Sequence, residues 1–228
     1  MRQHSRDAGA PVLAVAGMAF EARIAKGPGV EAVFAARADL LERAISEALA
    51  RGCSGIISFG TAGGLAPDLK PGTVIIASVV SGPLGKIETD PEWSARLFDA
   101  FAGTPVSGRA VRGRMAGVAA PLAGEREKSA LYRSTGALAV DMESHIAGAI
   151  AAARGLPFAV CRAIVDPAWR SLPRAATAGL RDDGTTTVLP ILRELLRQPS
   201  QLGALLRLAG DARVARTSLV QARHAIWG

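Results

Sequence analysis

The chain has 228 residues, nearly half of them apolar and about a fifth charged, so it can bury a sizeable core and is not a disordered polymer. No linker-like tract interrupts it, which fits one domain over residues 1–228. The formal charge of +7 would suit nucleic acid or anionic lipid, but a single tyrosine among scattered arginines offers no stacking surface, and a nucleic-acid partner is not expected.

The N-terminus, "MRQHSRDAGAP", is polar and lacks the apolar stretch of a secretory signal; residues 1–10 are expected to be flexible. Residues 11–17, "PVLAVAG", read as a short buried strand bounded by proline and glycine. In "RADLLERAISEALARGC", Leu40, Leu41, Ala44, Ile45, Ala48 and Leu49 recur at helical spacing, and Gly52 is a plausible stop. A second buried strand, "SGIISFG", runs into "TAGGL", so three glycines crowd the point where the chain is expected to leave the strand through a turn. That cost in entropy calls for unusual backbone angles or for close approach by a ligand or another strand. Pro71-Gly72 marks a turn before a third strand, "TVIIASVVSG".

Residues 82–109 are weakly patterned, with a helix expected around "PEWSARLFDAFAG". "GRMAGVAA" and "STGALAV" read as further strands, and "HIAGAIAAARG" as a helix closing at Gly155. "LPFAVCRAIVD" is a buried strand, after which "TVLPILRELLR", "QLGALLRLAG" and "ARVARTSLVQARHAIW" are helical. Residues 185–228 thus form a basic helical extension: from residue 191 on, six arginines face two acids. Its apolar residues recur at helical spacing, and the terminal Trp227 suits a lipid interface. Alternating strands and helices give an α/β class, a three-layer α/β/α sandwich around a central mixed sheet. Cys53 and Cys161 sit in or beside apolar runs, suit a reducing cytoplasmic compartment, and form no metal-ligand spacing; no metal or other cofactor is expected. No run of about 18 uncharged apolar residues is present to span a membrane.

Ligands of open α/β sheets bind beyond the C-terminal ends of the strands. Four such exits here carry Glu21, Thr61, the pair Asp141 and Glu143, and Asp166. Three acidic exits and a hydroxyl suit acid/base chemistry and hydroxyl binding. Singly, each has an ordinary explanation: Asp141 a helix cap, Glu21 an exposed first-turn acid, Asp166 a turn residue before Pro167. Together they gather at one sheet edge. The glycines of "GTAGGL" do not follow the dinucleotide-binding spacing, and no phosphate-binding P-loop is present. Arg162 lies inside an apolar strand and needs a partner, for which Asp141 is the candidate.

The motifs "GMAFEA", "SFGTAGGLAPDLKPGTVI", "VDMESHIAGAIAAARGLPF" and "CRAIVD" occur in the order and spacing of the purine and uridine phosphorylase superfamily. The chain most resembles its nucleosidase branch, which cleaves methylthioadenosine and adenosylhomocysteine. The extension after Pro167 resembles the hopanoid-associated subgroup, proposed to remove adenine from adenosylhopane. The resemblance implies that Asp166 serves purine N7 as the catalytic acid. It implies that Glu143 binds the ribose hydroxyls with Met142 against the sugar. It places Thr61, with the backbone of Ala62 and Gly63, near the ribose and the attacking water, and Glu21 on that water. It also implies a homo-oligomer. The acid at the first strand exit favours water over phosphate, while Arg23 and Arg37 leave phosphorolysis open. A non-catalytic nucleoside-binding protein of the same fold is the third reading. The nucleosidases carry a small hydroxyl residue before the catalytic aspartate; here Val165 stands there, so the N7 contact must be supported differently. The basic extension further implies peripheral contact with the inner membrane face, bringing the site to a lipid-linked adenosyl substrate.

Overall fold

Side-chain alternation along the buried strands sets the architecture. In β1 (Val12–Ala16), Leu13 and Val15 join one apolar cluster and Ala14 the other; in β8 (Phe158–Asp166), Val160 and Ile164 oppose Ala159, Cys161 and Ala163. The computed structural model describes residues 9–228, the side chain of Thr177 excepted; the expected flexible segment otherwise lies outside the described residues. The other strands are β2 (Val30–Phe34), β3 (Gly55–Gly64), β4 (Val74–Gly82), β5 (Gly85–Glu88), β6 (Ala110–Gly117) and β7 (Ala139–Asp141). They form one mixed sheet in the order β2-β1-β3-β7-β6-β4-β5, with β8 pairing both β3 and β4. The β3–β8 pairing is parallel and the β4–β8 pairing antiparallel, so β3, β8, β4, β6 and β7 close a ring.

Helices cover both faces. Before the final strand lie α1 (Ala19–Ala25), α2 (Ala38–Leu49), α3 (Pro91–Asp99), α4 (Glu125–Thr135) and α5 (Ser144–Ala153). After it come α6 (Arg174–Ala178), α7 (Val188–Arg197) and α8 (Leu202–Trp227). Leu41, Ile45 and Ala48 of α2 pack with Ile146, Ala147 and Ala151 of α5 on one face. Leu97 of α3 and Ala215, Leu219 and Ala222 of α8 pack on the other. This is the expected α/β/α arrangement around a mixed sheet.

Three expectations are corrected. First, the glycine-rich stretch is no turn. Gly60, Gly63 and Gly64 belong to the ten-residue strand β3, and none has a positive φ. They are required by close approach: a Cβ on Gly60 would lie 2.7 Å from both Arg162 Nη1 and Glu21 Oε2, and one on Gly64 would lie 3.1 Å from the Pro167 backbone. Second, the last two helical segments are one helix of 26 residues. Gly210 costs it only about 1 kcal/mol, and the residues beyond pack on the sheet. Third, Trp227 does not stand free at the end of the chain: its half-buried ring meets Phe59 at 5.5 Å, tilted by 54°. The sequence reading also passed over α1, β2, β5, α4 and α6. Trp227→Ala is therefore expected to lower stability in lipid-free buffer by about 2 kcal/mol, below the range for a wholly buried tryptophan. Denaturant unfolding without lipid checks this.

Candidate active site

Glu21 ties the first strand exit to the third strand. It occupies the third position of α1, and its Oε2 accepts from the backbone N–H of Gly17 (3.1 Å) and Met18 (3.0 Å). Its Oε1 accepts from the Thr61 N–H (2.8 Å) and the Thr61 hydroxyl (2.6 Å). It is buried, not an exposed first-turn acid. Four donors thus fill both oxygens. Only the Thr61 hydroxyl can rotate away to admit another donor.

Arg162 lies on the α2/α5 face of β8, where its neighbours at spacing two are apolar, and it is wholly buried. Its Nε sits 2.9 Å from Asp141 Oδ2 and its Nη2 3.2 Å from Glu143 Oε2. It also donates to Ser58 Oγ, 2.6 Å from Nη2, and to the Thr61 carbonyl, 3.2 Å from Nη1. Asp141 is shared: its Oδ1 accepts from the Ser144 N–H at 3.1 Å, and its Oδ2 accepts from the Ser144 hydroxyl. It is therefore both a cap for α5 and a counter-ion. Burial works against the guanidinium charge, but Asp141, Glu143 and Glu21 outweigh it and hold Arg162 above its ordinary pKa. Glu143 moves the other way from a normal carboxyl. Burial pushes it up to about 8; Arg162 opposes this, and the charges of Asp141 and Glu21 add to it. Gly17 makes room for this carboxylate, since a Cβ there would lie 2.4 Å from Glu143 Oε1.

Asp166 closes β8 opposite Gly63 and is buried. Its Oδ2 lies 2.6 Å from Lys128 Nζ, a side chain with no exposed surface. Burial raises the Asp166 pKa, and Lys128 opposes the rise. Lys128 was not singled out from the sequence. In "EREKSALYR" it reads as an ordinary helix-surface lysine, and the only hint was the absence of a hydroxyl at Val165.

Two adjoining cavities bring the pieces together. One of about 170 Å³ is lined by Thr61, Ala62, Gly63, Asp141, Met142, Glu143, Val165 and Asp166. The second, about 680 Å³, shares Met142, Val165, Asp166, Pro121 and Leu172 with it and continues over Ala176, Leu180 and Leu208. Most of its wall is apolar. His145 lines it too; burial pulls its pKa down, and its Nδ1 has no hydrogen-bond partner among the described residues. The residues selected from sequence thus divide: Thr61, Ala62, Gly63, Met142, Glu143 and Asp166 line the first cavity with Asp141, while Glu21 and Arg162 stand behind Thr61. Of the arginines that left phosphate open, Arg37 is engaged by Asp39 and Asp182 at 2.6 and 3.0 Å. Arg23 lines a separate cavity with Arg213 and Arg216. Among the described residues no His, Cys, Asp and Glu group could hold a metal ion.

A family model described as the phosphorylase superfamily matches residues 8–196. No curated protein matches the chain. Among solved structures it is similar to a mutant of the Helicobacter pylori 5′-methylthioadenosine/S-adenosylhomocysteine nucleosidase that holds 5′-methylthioadenosine in its active site. Identity is 16%, TM-score 0.64, and 94% of this chain and 98% of that one are covered. The futalosine hydrolase of the same organism is similar at 17% identity and TM-score 0.64, over 94% and 97% of the two chains. A putative methylthioadenosine nucleosidase of Weissella paramesenteroides is similar at 16% identity and TM-score 0.62, over 95% and 97%.

The raised pKa of Glu143 predicts a pH-dependent stability. Between its ordinary value of 4.5 and about 8, the folded state keeps a proton that the unfolded state releases. Stability therefore falls as pH rises through that window. Glu143→Gln, which imitates the protonated side chain, is expected to melt at a temperature that declines less from pH 5 to pH 8 than the wild type does. Calorimetry across that range checks it; parallel declines would place the Glu143 proton elsewhere.

Proposed function

The chain belongs to the phosphorylase superfamily and is an enzyme of the nucleosidase/phosphorylase type; we propose that it cleaves the N-glycosidic bond of an adenosyl nucleoside and releases adenine to water. The observation that carries this reading is the convergence of Asp166 and Glu143 on one cavity, over Met142 and the backbone of Thr61 to Gly63. Adenine leaves poorly as an anion, so its N7 must gain a proton as the bond breaks. A carboxyl whose burial raises its pKa is suited to give that proton, and Asp166 is such a group. Glu143 accepts hydrogen bonds from the ribose hydroxyls, with Met142 against the sugar. The sugar passes through an oxocarbenium-like state, which the nearby carboxylates stabilise.

The charge around Thr61 favours water as nucleophile. Glu21, Asp141 and Glu143 crowd a single guanidinium, so a phosphate dianion there would meet three carboxyl groups and one cation. Water takes the place that the Thr61 hydroxyl vacates on Glu21; its oxygen bonds to the anomeric carbon as the bond to the protonated adenine breaks, and its proton passes to the Glu21 carboxylate. The apolar cavity beyond Met142 supports a large apolar group on the 5′ side, as in a lipid-linked substrate of the adenosylhopane kind.

The same reading has the basic extension rest on anionic lipid at the inner membrane face. Among the described residues no helix is long and apolar enough to cross a membrane. Instead Val188, Leu189, Leu192, Leu196, Leu202 and Leu206 are all exposed, interspersed with exposed Arg193, Arg197 and Arg207. This apolar and basic surface runs over residues 188–207 and continues to exposed Arg213, Val214 and Arg216. Assembly of the chain as a homo-oligomer belongs to the same proposal and is read from the mass in solution by light scattering.

Asp166→Asn is expected to cut adenine release by about 10²–10⁴-fold; it also leaves the buried Lys128 without its carboxylate and should cost about 3–5 kcal/mol of stability, so release is assayed well below the variant's melting temperature. Wild-type release should proceed fully without phosphate and should favour adenosyl compounds with long alkyl 5′ groups over methylthioadenosine. Chromatographic assay of free adenine decides all three. A strict phosphate requirement would make the protein a phosphorylase, and adenine binding without turnover would make it a binding protein.

For the membrane contact, co-sedimentation with phosphatidylglycerol vesicles should be strong at low salt and fade as salt rises. Changing Arg193, Arg197 and Arg207 to Gln should weaken it. Equal recovery in the supernatant with neutral and anionic vesicles would reject the contact.

A further inference from the structure

Lys128 is the one lysine with no exposed surface among the largest wholly buried side chains, and all of its hydrogen-bonding capacity is spent on one loop. It lies in the first turn of α4, one position after Glu127, which caps the helix by accepting from the Gly124 N–H at 3.1 Å. Its stem crosses the protein interior to the exit of β8. There Nζ contacts Asp166 Oδ2 at 2.6 Å, the Arg170 carbonyl at 2.9 Å, the Pro167 carbonyl at 3.1 Å and the Asp166 carbonyl at 3.2 Å. Three N–H donors among four acceptors leave none for a ligand. The loop is stitched to the same helix start by the Leu172 N–H, which donates to the Ala123 carbonyl at 2.9 Å.

We infer that Lys128 is the positioning residue of Asp166: it fixes one carboxylate oxygen and the loop after β8, so that the carboxyl is presented to the cavity, and its charge sets the pH range over which that carboxyl can give up a proton. The inference deepens the proposed base release and rests on it for its catalytic consequence. Val165, beside the aspartate, offers it no side-chain hydrogen bond. The ammonium reaches the same carboxyl from another element. A buried lysine is costly unless its charge is paired, so its presence at this spot, with no surface role available, calls for a carboxylate partner.

The charges facing Asp166 come from several elements. Lys128 approaches from α4. Asp211 of α8 acts against it and is itself paired with Arg170 at 2.8 Å. Asp141 and Glu143 lie across the smaller cavity; Arg37, His145, Arg181 and Asp182 line the larger one. Of these, only Lys128 touches the Asp166 carboxylate. Burial raises the Asp166 pKa and Lys128 restrains that rise. Removing the ammonium should free that rise.

The test is a carbon-13 NMR titration of the Asp166 carboxyl, identified by its loss in Asp166→Asn, in the full chain without substrate. Lys128→Met should raise the Asp166 titration midpoint by about 1–3 pH units. Lys128→Arg keeps the charge and should leave the midpoint within about half of that shift. If the Met variant does not fold, Lys128→Gln keeps an N–H for the loop carbonyls and carries the same expectation. In the kinetic arm, the alkaline limb of adenine release should move upward with the NMR midpoint, which a purely structural lysine would not do. An unchanged midpoint in a folded, charge-less variant overturns the inference, even where adenine release is intact. A shifted midpoint without any base release in the wild type supports Lys128 as the partner of Asp166 and overturns only the proposed activity.

Discussion

One buried guanidinium organises the centre of this protein. Arg162 projects from β8 toward α5, at a position where the strand's alternation otherwise supplies valine and isoleucine. A charge there cannot be left bare; removing one partner of such a pair costs about 3–5 kcal/mol. Its partners come from every element around it: Ser58 and the Thr61 carbonyl from β3, Asp141 from β7, and Glu143 at the start of α5. Those contacts fix how β3, β7 and β8 meet where the sheet closes into a ring. The glycines follow from the same constraint. Gly60 and Gly17 are the positions whose Cβ would collide with Arg162, Glu21 and Glu143. Small residues are therefore the condition for packing four large charged groups beneath one cavity.

From that cluster follows a division among four acids that look alike in sequence. Glu21 is filled by four donors and acts as a fixed acceptor. Asp141 is occupied by Arg162 and by Ser144. Glu143 has a single cation to share with two neighbouring carboxylates, and Asp166 has Lys128 alone. The two acids with raised pKa values are thus the two that face the cavity with spare hydrogen-bonding capacity. Burial thus lets both of them carry a proton at a pH where an exposed carboxyl has lost it.

Much of this was legible because it rests on local pattern. The apolar runs of β1, β3, β4 and β8 and the periodic α2, α3 and α5 were read in order, and the polar residues at strand ends were found by asking what leaves a buried strand. What was missed rests on distance or on balance. The strand β2 is half-exposed, with Glu31 beside Arg51, and β5 is four residues long; neither has a buried run to announce it. The α4 helix carries more charge than apolar surface, so its one fully buried residue, Lys128, looked like a solvated lysine. The glycines of β3 were read as a turn, with unusual backbone angles or close approach left open; the neighbours that decide for close approach, Glu21 and Arg162, lie far away in the chain. Trp227 was read as an interfacial ring because Phe59, its partner, lies far away in the chain.

The placement of charge also bears on how the site distinguishes nucleophiles. Excess negative charge near Thr61 disfavours any anion beside the sugar, while leaving a neutral molecule free to hydrogen-bond to Glu21. The same charge stabilises a sugar that becomes positive as its bond to the base breaks. In the proposed reaction one electrostatic field therefore serves two ends: it favours water over an anion, and it lowers the barrier that water meets. Neither effect requires a side chain to move except the Thr61 hydroxyl. The site is preorganised because Arg162 neutralises just enough of the acid cluster to let it stay buried, and not enough to cancel its field.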